Sequence, residues 1–202
     1  MPWPEPTTLR GTHAILEPLS HAHLNDLMEA VKDGELWKLW YTMIPQPGNM
    51  HAEIARRLDL QAKGSMTPFA VVSSETSKVI GMTSYMNVDP VNRRVEIGGT
   101  WYRKSAQRTP LNTECKLLLL THAFENLDCI CVELRTHFFN QQSRRGIERL
   151  GAKLDGILRS NQIAPNGTIR DTCVYSIIAS EWPTVKAHLT WKLSQPFGKT
   201  QE

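Results

Sequence analysis

One junction constrains this chain more than any other stretch: an alternating strand, a short basic loop and a helix whose first turn is marked by Thr109-Pro110. Val95, Ile97 and Trp101 fall on one face of the strand and Glu96, Thr100 and Tyr102 on the other, unless a bulge at Gly98-Gly99 resets the register. Threonine is a good N-cap and proline suits the first helical position. Leu111, Cys115, Leu118, Leu119 and Ala123 then recur at helical spacing. A helix start preceded by Arg103, Lys104 and Arg108 is an anion seat by its own physics, because its first N–H groups are unpaired and its dipole is positive there.

Elements of both kinds surround this junction. A short apolar run at 12–16 precedes Ser20, a cap for a helix carrying Leu24, Leu27, Met28 and Val31. Residues 36–41 form an aromatic elbow, closed by Pro45, Pro47 and Gly48, before a second helical pattern at 52–63. Runs at 69–72 and 79–85 suit a hairpin, and 89–92 supply the next turn. Ile130, Val132 and Leu134 alternate as a strand, Asn140 starts a helix that ends near Gly151, and strands at 153–158 and 173–178 precede a last helix at 181–193. The order reads β-α-α-β-β-β-α-β-α-β-β-α, a mixed α/β (α+β) class. With no internal repeat or linker, it predicts a single domain at 8–194, with flexible ends at 1–7 and 195–202.

Composition narrows the function classes. A chain of 202 residues that is 41% hydrophobic can bury a substantial core. A formal net charge of +3 is too mild to argue for a nucleic-acid partner, yet it suits an anionic cofactor. No apolar run approaches the roughly 20 residues that span a bilayer, and the N-terminus has no signal-peptide core, so the cytoplasm is the expected location, with no membrane partner. The four cysteines, Cys115, Cys129, Cys131 and Cys173, lack CxxC spacing and are expected as reduced, mostly buried thiols. The seven histidines are scattered, and no metal site is expected.

Arg94-Val95-Glu96-Ile97-Gly98 leading to Trp101-Tyr102, together with Asn140-x-x-Ser143 leading to Arg149-Leu150-Gly151-Ala152, resembles the GNAT acetyltransferase superfamily. Thr109-x-x-Asn112-x-Glu114, Gly156-x-x-Arg159, Arg170-Asp171-Thr172 and Glu181-Trp182-Pro183 are similar to the branch of RimJ and RimL ribosomal-protein N-terminal acetyltransferases. The resemblance covers nearly the whole chain. It implies a mostly antiparallel sheet of about 6–7 strands flanked by helices, splayed between the fourth and fifth strands. It also implies acetyl-coenzyme A as co-substrate, with pantetheine lying in the splay as an added strand would.

The resemblance assigns Trp101, Tyr102 and Arg103 to the cofactor wall, while the Trp101 side chain by itself also reads as a core aromatic. Gln107, Arg108, Thr109, Asn112 and Thr113 fall where the family binds pyrophosphate, but both glycines of the usual Gln/Arg-x-x-Gly-x-Gly/Ala signature are missing. Ordinary helix capping is the plainer alternative for Thr109 and Asn112, and Asn140 reads as cap, pantetheine ligand or both. The acceptor pocket is expected against Trp37, Trp40 and Tyr41, some of which core packing would explain as well.

Attack on a thioester needs an unprotonated amine, whose pKa is about 8 for an α-amine and about 10 for a lysine. Glu96 is the candidate base, against the plainer reading of a solvated or ion-paired strand glutamate. A backbone N–H near Trp101 or Tyr102 is a candidate oxyanion donor. Where many relatives protonate the leaving thiolate with a tyrosine, this chain has Ile147, so Ser143 is the nearest substitute and Tyr175 a further phenol. The expected reaction is direct transfer of acetyl to a small-molecule amine or peptide N-terminus without an acyl-enzyme. The alternative is a non-catalytic acyl-CoA-binding or sensing module. Family resemblance also makes a homodimer an expectation.

Overall fold

The computed structural model describes residues 3–196. Eight strands form one sheet in the order β1-β2-β3-β4-β5-β6-β8-β7: β1 (Leu9–Arg10), β2 (Ala14–Pro18), β3 (Met66–Ser73), β4 (Val79–Asp89), β5 (Arg94–Tyr102), β6 (Cys131–His137), β7 (Lys153–Ile163) and β8 (Ile169–Ile178). The count exceeds the expected 6–7 because β1, only two residues long, has too little alternation to be read from sequence. Among the described residues only β5 and β6 pair in parallel; every other neighbour is antiparallel.

Two apolar clusters fix which helix covers which face. α1 (Leu24–Lys32) and α2 (Met50–Ala62) bury Leu27, Val31, Met50 and Ile54 with Ala70, Met82 and Trp101. α3 (Pro110–Thr121), α4 (Gln141–Glu148) and α5 (Trp182–Ser194) bury Leu111, Cys115, Leu119, Ile147, Trp182 and Leu189 with Val95, Ile97, Tyr102, Val132 and Leu134 on the opposite face. The strand faces supply this division directly, since successive side chains project to opposite sides.

β5 carries a bulge. Its pairing with β4 runs Glu96 to Met86 and Gly98 to Ser84, then resumes with Trp101 opposite Met82, one residue out of step. Gly99 sits in the bulge at φ +59°, a conformation that costs glycine little. The bulge therefore resets the simple alternation: Tyr102, not Trp101, joins Val95 and Ile97, and Trp101 turns to the α1–α2 face.

Glu114 of α3 accepts from Thr12, His13 and Ala14 N–H at 2.8, 2.6 and 2.8 Å and so fastens the β1–β2 turn to the helix. A Cβ on Gly11 would lie 2.5 Å from the Glu114 carboxyl carbon, so the turn needs glycine for this approach. Within 1–7, expected as a flexible end, Trp3 packs against the core and the Pro4 carbonyl accepts from Thr67. The expected end at 195–202 lies outside the described residues except for 195 and 196. All four cysteines are free and buried.

Candidate active site in the splay between β5 and β6

β5 and β6 pair only through Arg94–Cys131, Val95–Val132 and Glu96–Glu133. Beyond that point β5 stays with β4 as far as Tyr102, and β6 stays with β8 as far as His137. The two strands therefore diverge into a gap with backbone on both walls. Arg103 N–H bonds to Ile80 O at 2.8 Å, so the alternation of an antiparallel ladder turns the N–H and C=O of Tyr102 away from β4 and into the gap. There the Tyr102 carbonyl accepts from Gln107 Nε2 at 3.1 Å. The Tyr102 side chain is buried, with its hydroxyl against the Cys115 thiol.

At the closed end of the gap stands Glu96. Its side chain projects to the face opposite Val95 and Ile97, is 7% exposed, and accepts from Asn87 Nδ2 at 2.6 Å. Burial raises its pKa above the ordinary carboxylate value; Arg135, 3.6 Å away, and the Asn87 bond pull it back only in part. A carboxylate held this way is better matched to accepting a proton near neutrality than a solvated one. Sequence reasoning found Glu96 but missed Asn87, Arg135 and Arg170, the surroundings that tune it, because they come from three different strands or turns.

The loop after β5 is held by Asp33 at the end of α1, which accepts from Arg103 Nε at 3.0 Å and from Ser105 N and Oγ at 3.1 and 2.6 Å. Arg103 is thus engaged in an ion pair, while Lys104 and Arg108 are exposed beside the start of α3. Arg108 adopts φ +58°, so a left-handed backbone forms here without the missing glycines. Thr109 caps α3, its Oγ1 accepting from Leu111 N at 3.4 Å and donating to Ala106 O at 2.8 Å. Asn112 is half-buried, and Thr113 is buried with its hydroxyl accepting from Arg149 at 3.3 Å, a contact between helices.

Across the gap, Asn140 caps α4 by accepting from Ser143 N at 3.0 Å. Ser143 is half-buried on α4, on the opposite side of the sheet from Glu96. Ile147 is buried in the core there and carries no proton. Tyr175 does not reach the gap as a free phenol: its hydroxyl donates to Glu148 at 2.8 Å and accepts from Arg144 at 3.1 Å.

The aromatic elbow divides. Trp37 packs against the α1–α2 cluster, the core role. Trp40 and Tyr41 instead gather round His137 at the end of β6, with ring centroids 5.1 and 6.2 Å away, and Phe139 completes the group. His137 Nδ1 accepts from Phe139 N at 3.1 Å, which places its proton on Nε2, and burial lowers its pKa. Trp40 and Phe139 remain half or more exposed and give this group an open apolar wall.

Two buried cations reach the β5 bulge from opposite faces. Arg57 of α2 donates to Gly99 O at 3.1 Å and Ser84 Oγ at 3.0 Å while paired with Glu53. Lys116 of α3 donates to Thr100 Oγ1 at 2.9 Å. Neither was expected to be functional; the available signal was a lysine spaced among buried positions of α3, between Thr113 and Leu120. Among the described residues no group of three or more His, Cys, Asp or Glu is placed to hold a metal ion, and no helix is long and apolar enough to cross a membrane.

A splayed mixed sheet with unpaired inner backbone and a helix N-terminus at its mouth defines an acyl-CoA-dependent acyltransferase architecture, and the chain belongs to the GNAT acetyltransferase family. The profile of the acetyltransferase (GNAT) domain matches residues 13–153. YdaF of Bacillus subtilis (strain 168), a protein named for ribosomal N-acetylation, is 35% identical over 102 residues, which are 50% of this chain and 55% of YdaF. The crystal structure of a GCN5-related N-acetyltransferase from Brucella melitensis is 30% identical, covers 95% of this chain and 87% of its own, and superposes with a TM-score of 0.82. RimL, a ribosomal L7/L12 α-N-protein acetyltransferase solved in complex with coenzyme A, shares the fold at 18% identity and a TM-score of 0.72, over 85% of this chain and 98% of its own.

Proposed function

We propose that this protein transfers an acetyl group from acetyl-CoA to a primary amine by direct attack. The observation that carries the reading is the β5–β6 gap with the buried Glu96, its pKa raised by burial, at its closed end. Pantetheine would lie between the diverging strands, hydrogen-bonded to Tyr102 backbone, while Lys104, Arg108 and the α3 N–H groups receive the pyrophosphate. Trp101, Gln107, Thr109, Asn112 and Asn140 shape these walls, Arg103 and Thr113 acting mainly through Asp33 and Arg149.

Glu96, directly or through water, takes the proton from the acceptor ammonium. The amine attacks the thioester carbon, and the Tyr102 N–H stabilises the oxyanion. The elbow group of Trp40, Tyr41 and Phe139 would hold the acceptor, an arrangement suited to the first residues of a peptide N-terminus, in keeping with the relatives' names. A cytoplasmic homodimer belongs to the same reading, with the exposed outer strand β7 as the surface.

The test measures coenzyme A release with a panel of peptides, amino acids and polyamines. The account expects turnover with peptides that falls about 100-fold or more in Glu96→Gln, the loss typical of removing a general base. Tight acetyl-CoA binding with no turnover of any acceptor would support the sensing module instead.

A further inference from the structure

Lys116 is a buried ammonium with an incomplete set of partners. It is 6% exposed and sits on the α3 face that packs on the sheet. Among the described residues, Thr100 Oγ1, at 2.9 Å, is its one hydrogen-bond partner, and no carboxylate lies within ion-pair distance. Leucine or methionine would fill such a place without the desolvation that an unpaired charge suffers. Packing alone therefore does not account for a lysine there.

Its partner explains more. Thr100 belongs to the part of β5 beyond Glu96, where the strand has lost β6, so it stands in the wall of the gap. Thr100 and Thr83 share a hydroxyl bond of 2.8 Å in which either is the donor. When Thr83 donates, Thr100 accepts from both neighbours and its own hydrogen is left without a partner among the described residues, available to a group bound in the gap. α3 lies on the same side of the sheet as α4, where Ile147 supplies no acid.

The other titratable groups on the packed elements are poor proton sources at neutral pH. Burial drives Tyr85 of β4 and Tyr102 of β5 well above the ordinary phenol value and pushes Cys115 up to about 12. His122 is lowered by burial, Glu114 is turned to the β1–β2 turn, Arg149 faces Thr113, and Arg57 lies across the bulge. Lys116, lowered by burial to about 8, is close to a thiol's own value of about 8.5.

We infer that Lys116, acting through the Thr100 hydroxyl, supplies the proton to the departing coenzyme A sulfur; this rests on the acetyl-transfer reading above. As the C–N bond forms and the C–S bond breaks, the electron pair leaves on sulfur. The Thr100 hydroxyl proton passes to sulfur, and a Lys116 proton replaces it on Thr100. Neutral Lys116 regains a proton from solvent after coenzyme A departs, which matches the one the amine gave up through Glu96.

The experiment is a pH profile of kcat at saturating acetyl-CoA and acceptor for wild type, Lys116→Met and Thr100→Val, beside thermal unfolding of each. Wild-type kcat is expected to fall as pH rises through about 8. Each variant should lose about 10- to 100-fold in kcat with little change in KM, since a thiolate is already a fair leaving group, and should lose the alkaline fall. Lys116→Met should unfold no lower than wild type, whereas a purely structural lysine predicts a lower melting temperature. Retention of wild-type kcat and its alkaline fall in either folded variant overturns the relay. If Lys116→Met fails to fold, the relay is also overturned. Wild type that binds acetyl-CoA without turning over overturns the transfer reading itself, and the relay with it.

Discussion

Arg135→Met tests how Glu96 is tuned. The Arg135 Nε lies 3.6 Å from Glu96 Oε2. At that separation the Coulomb attraction runs from about 1 kcal/mol in water to about 5 kcal/mol at an effective dielectric constant of 20. Arg135 is a third exposed and shares its charge with Glu133 at 2.7 Å, so the lower end applies. Because Arg135 favours the ionised carboxylate, removing it moves the Glu96 pKa further up, and Glu133, left with Arg94 as its partner, pushes the same way. At about 1.4 kcal/mol per pH unit, the acid limb of kcat/KM should shift upward by about one unit. The assay is coenzyme A release from pH 5 to 9 with wild type, Arg135→Met and Glu96→Gln, the last of which should lose the limb. An acid limb that stays in place in Arg135→Met, or survives in Glu96→Gln, would refute Glu96 as the titrating base.

Three further outcomes follow from packing. The Lys116 pKa, lowered from 10.5 to about 8, corresponds to roughly 3 kcal/mol of destabilisation while the group is charged in both states, so Lys116→Met should raise the melting temperature at pH 7. Because the folded value is the lower one, wild type recovers that stability as pH climbs from about 8 to 10.5, and the difference between the two proteins should narrow over the same range. Glu114→Ala leaves three backbone donors of the β1–β2 turn without their carboxylate and should cost about 2–4 kcal/mol in denaturant unfolding. Gly81→Ala would place a Cβ 2.1 Å from Trp101 O, prising β4 from the cofactor wall; unfolding should show a loss of about 2 kcal/mol or more, with weaker acetyl-CoA binding by calorimetry.

The elements that sequence revealed are those whose causes are local. Thr109-Pro110 and Asn140 announce their helices through side-chain geometry within three residues, and both cap as expected. β1 was invisible because two residues carry no period, and its place depends on Glu114, about a hundred positions away. The bulge was visible as Gly98-Gly99, but its effect on which face Trp101 takes depends on the register with β4, which no local pattern contains. The site followed the same rule. Glu96 was legible from its strand, while Arg135, Arg57 and Lys116 matter only through contacts made in three dimensions. The elbow read as part pocket and part core, but only the fold divides it, sending Trp37 to the core and Trp40 and Tyr41 to His137.

The most direct test of the account is single-turnover transfer from radiolabelled acetyl-CoA to an N-terminally free peptide, with the enzyme in excess. The account predicts label on the peptide amine at a rate that falls about 100-fold or more in Glu96→Gln, and no label left on the protein. Label accumulating on the enzyme before it reaches the peptide, or a Glu96→Gln rate equal to wild type, would contradict direct transfer from the β5–β6 gap with Glu96 as base.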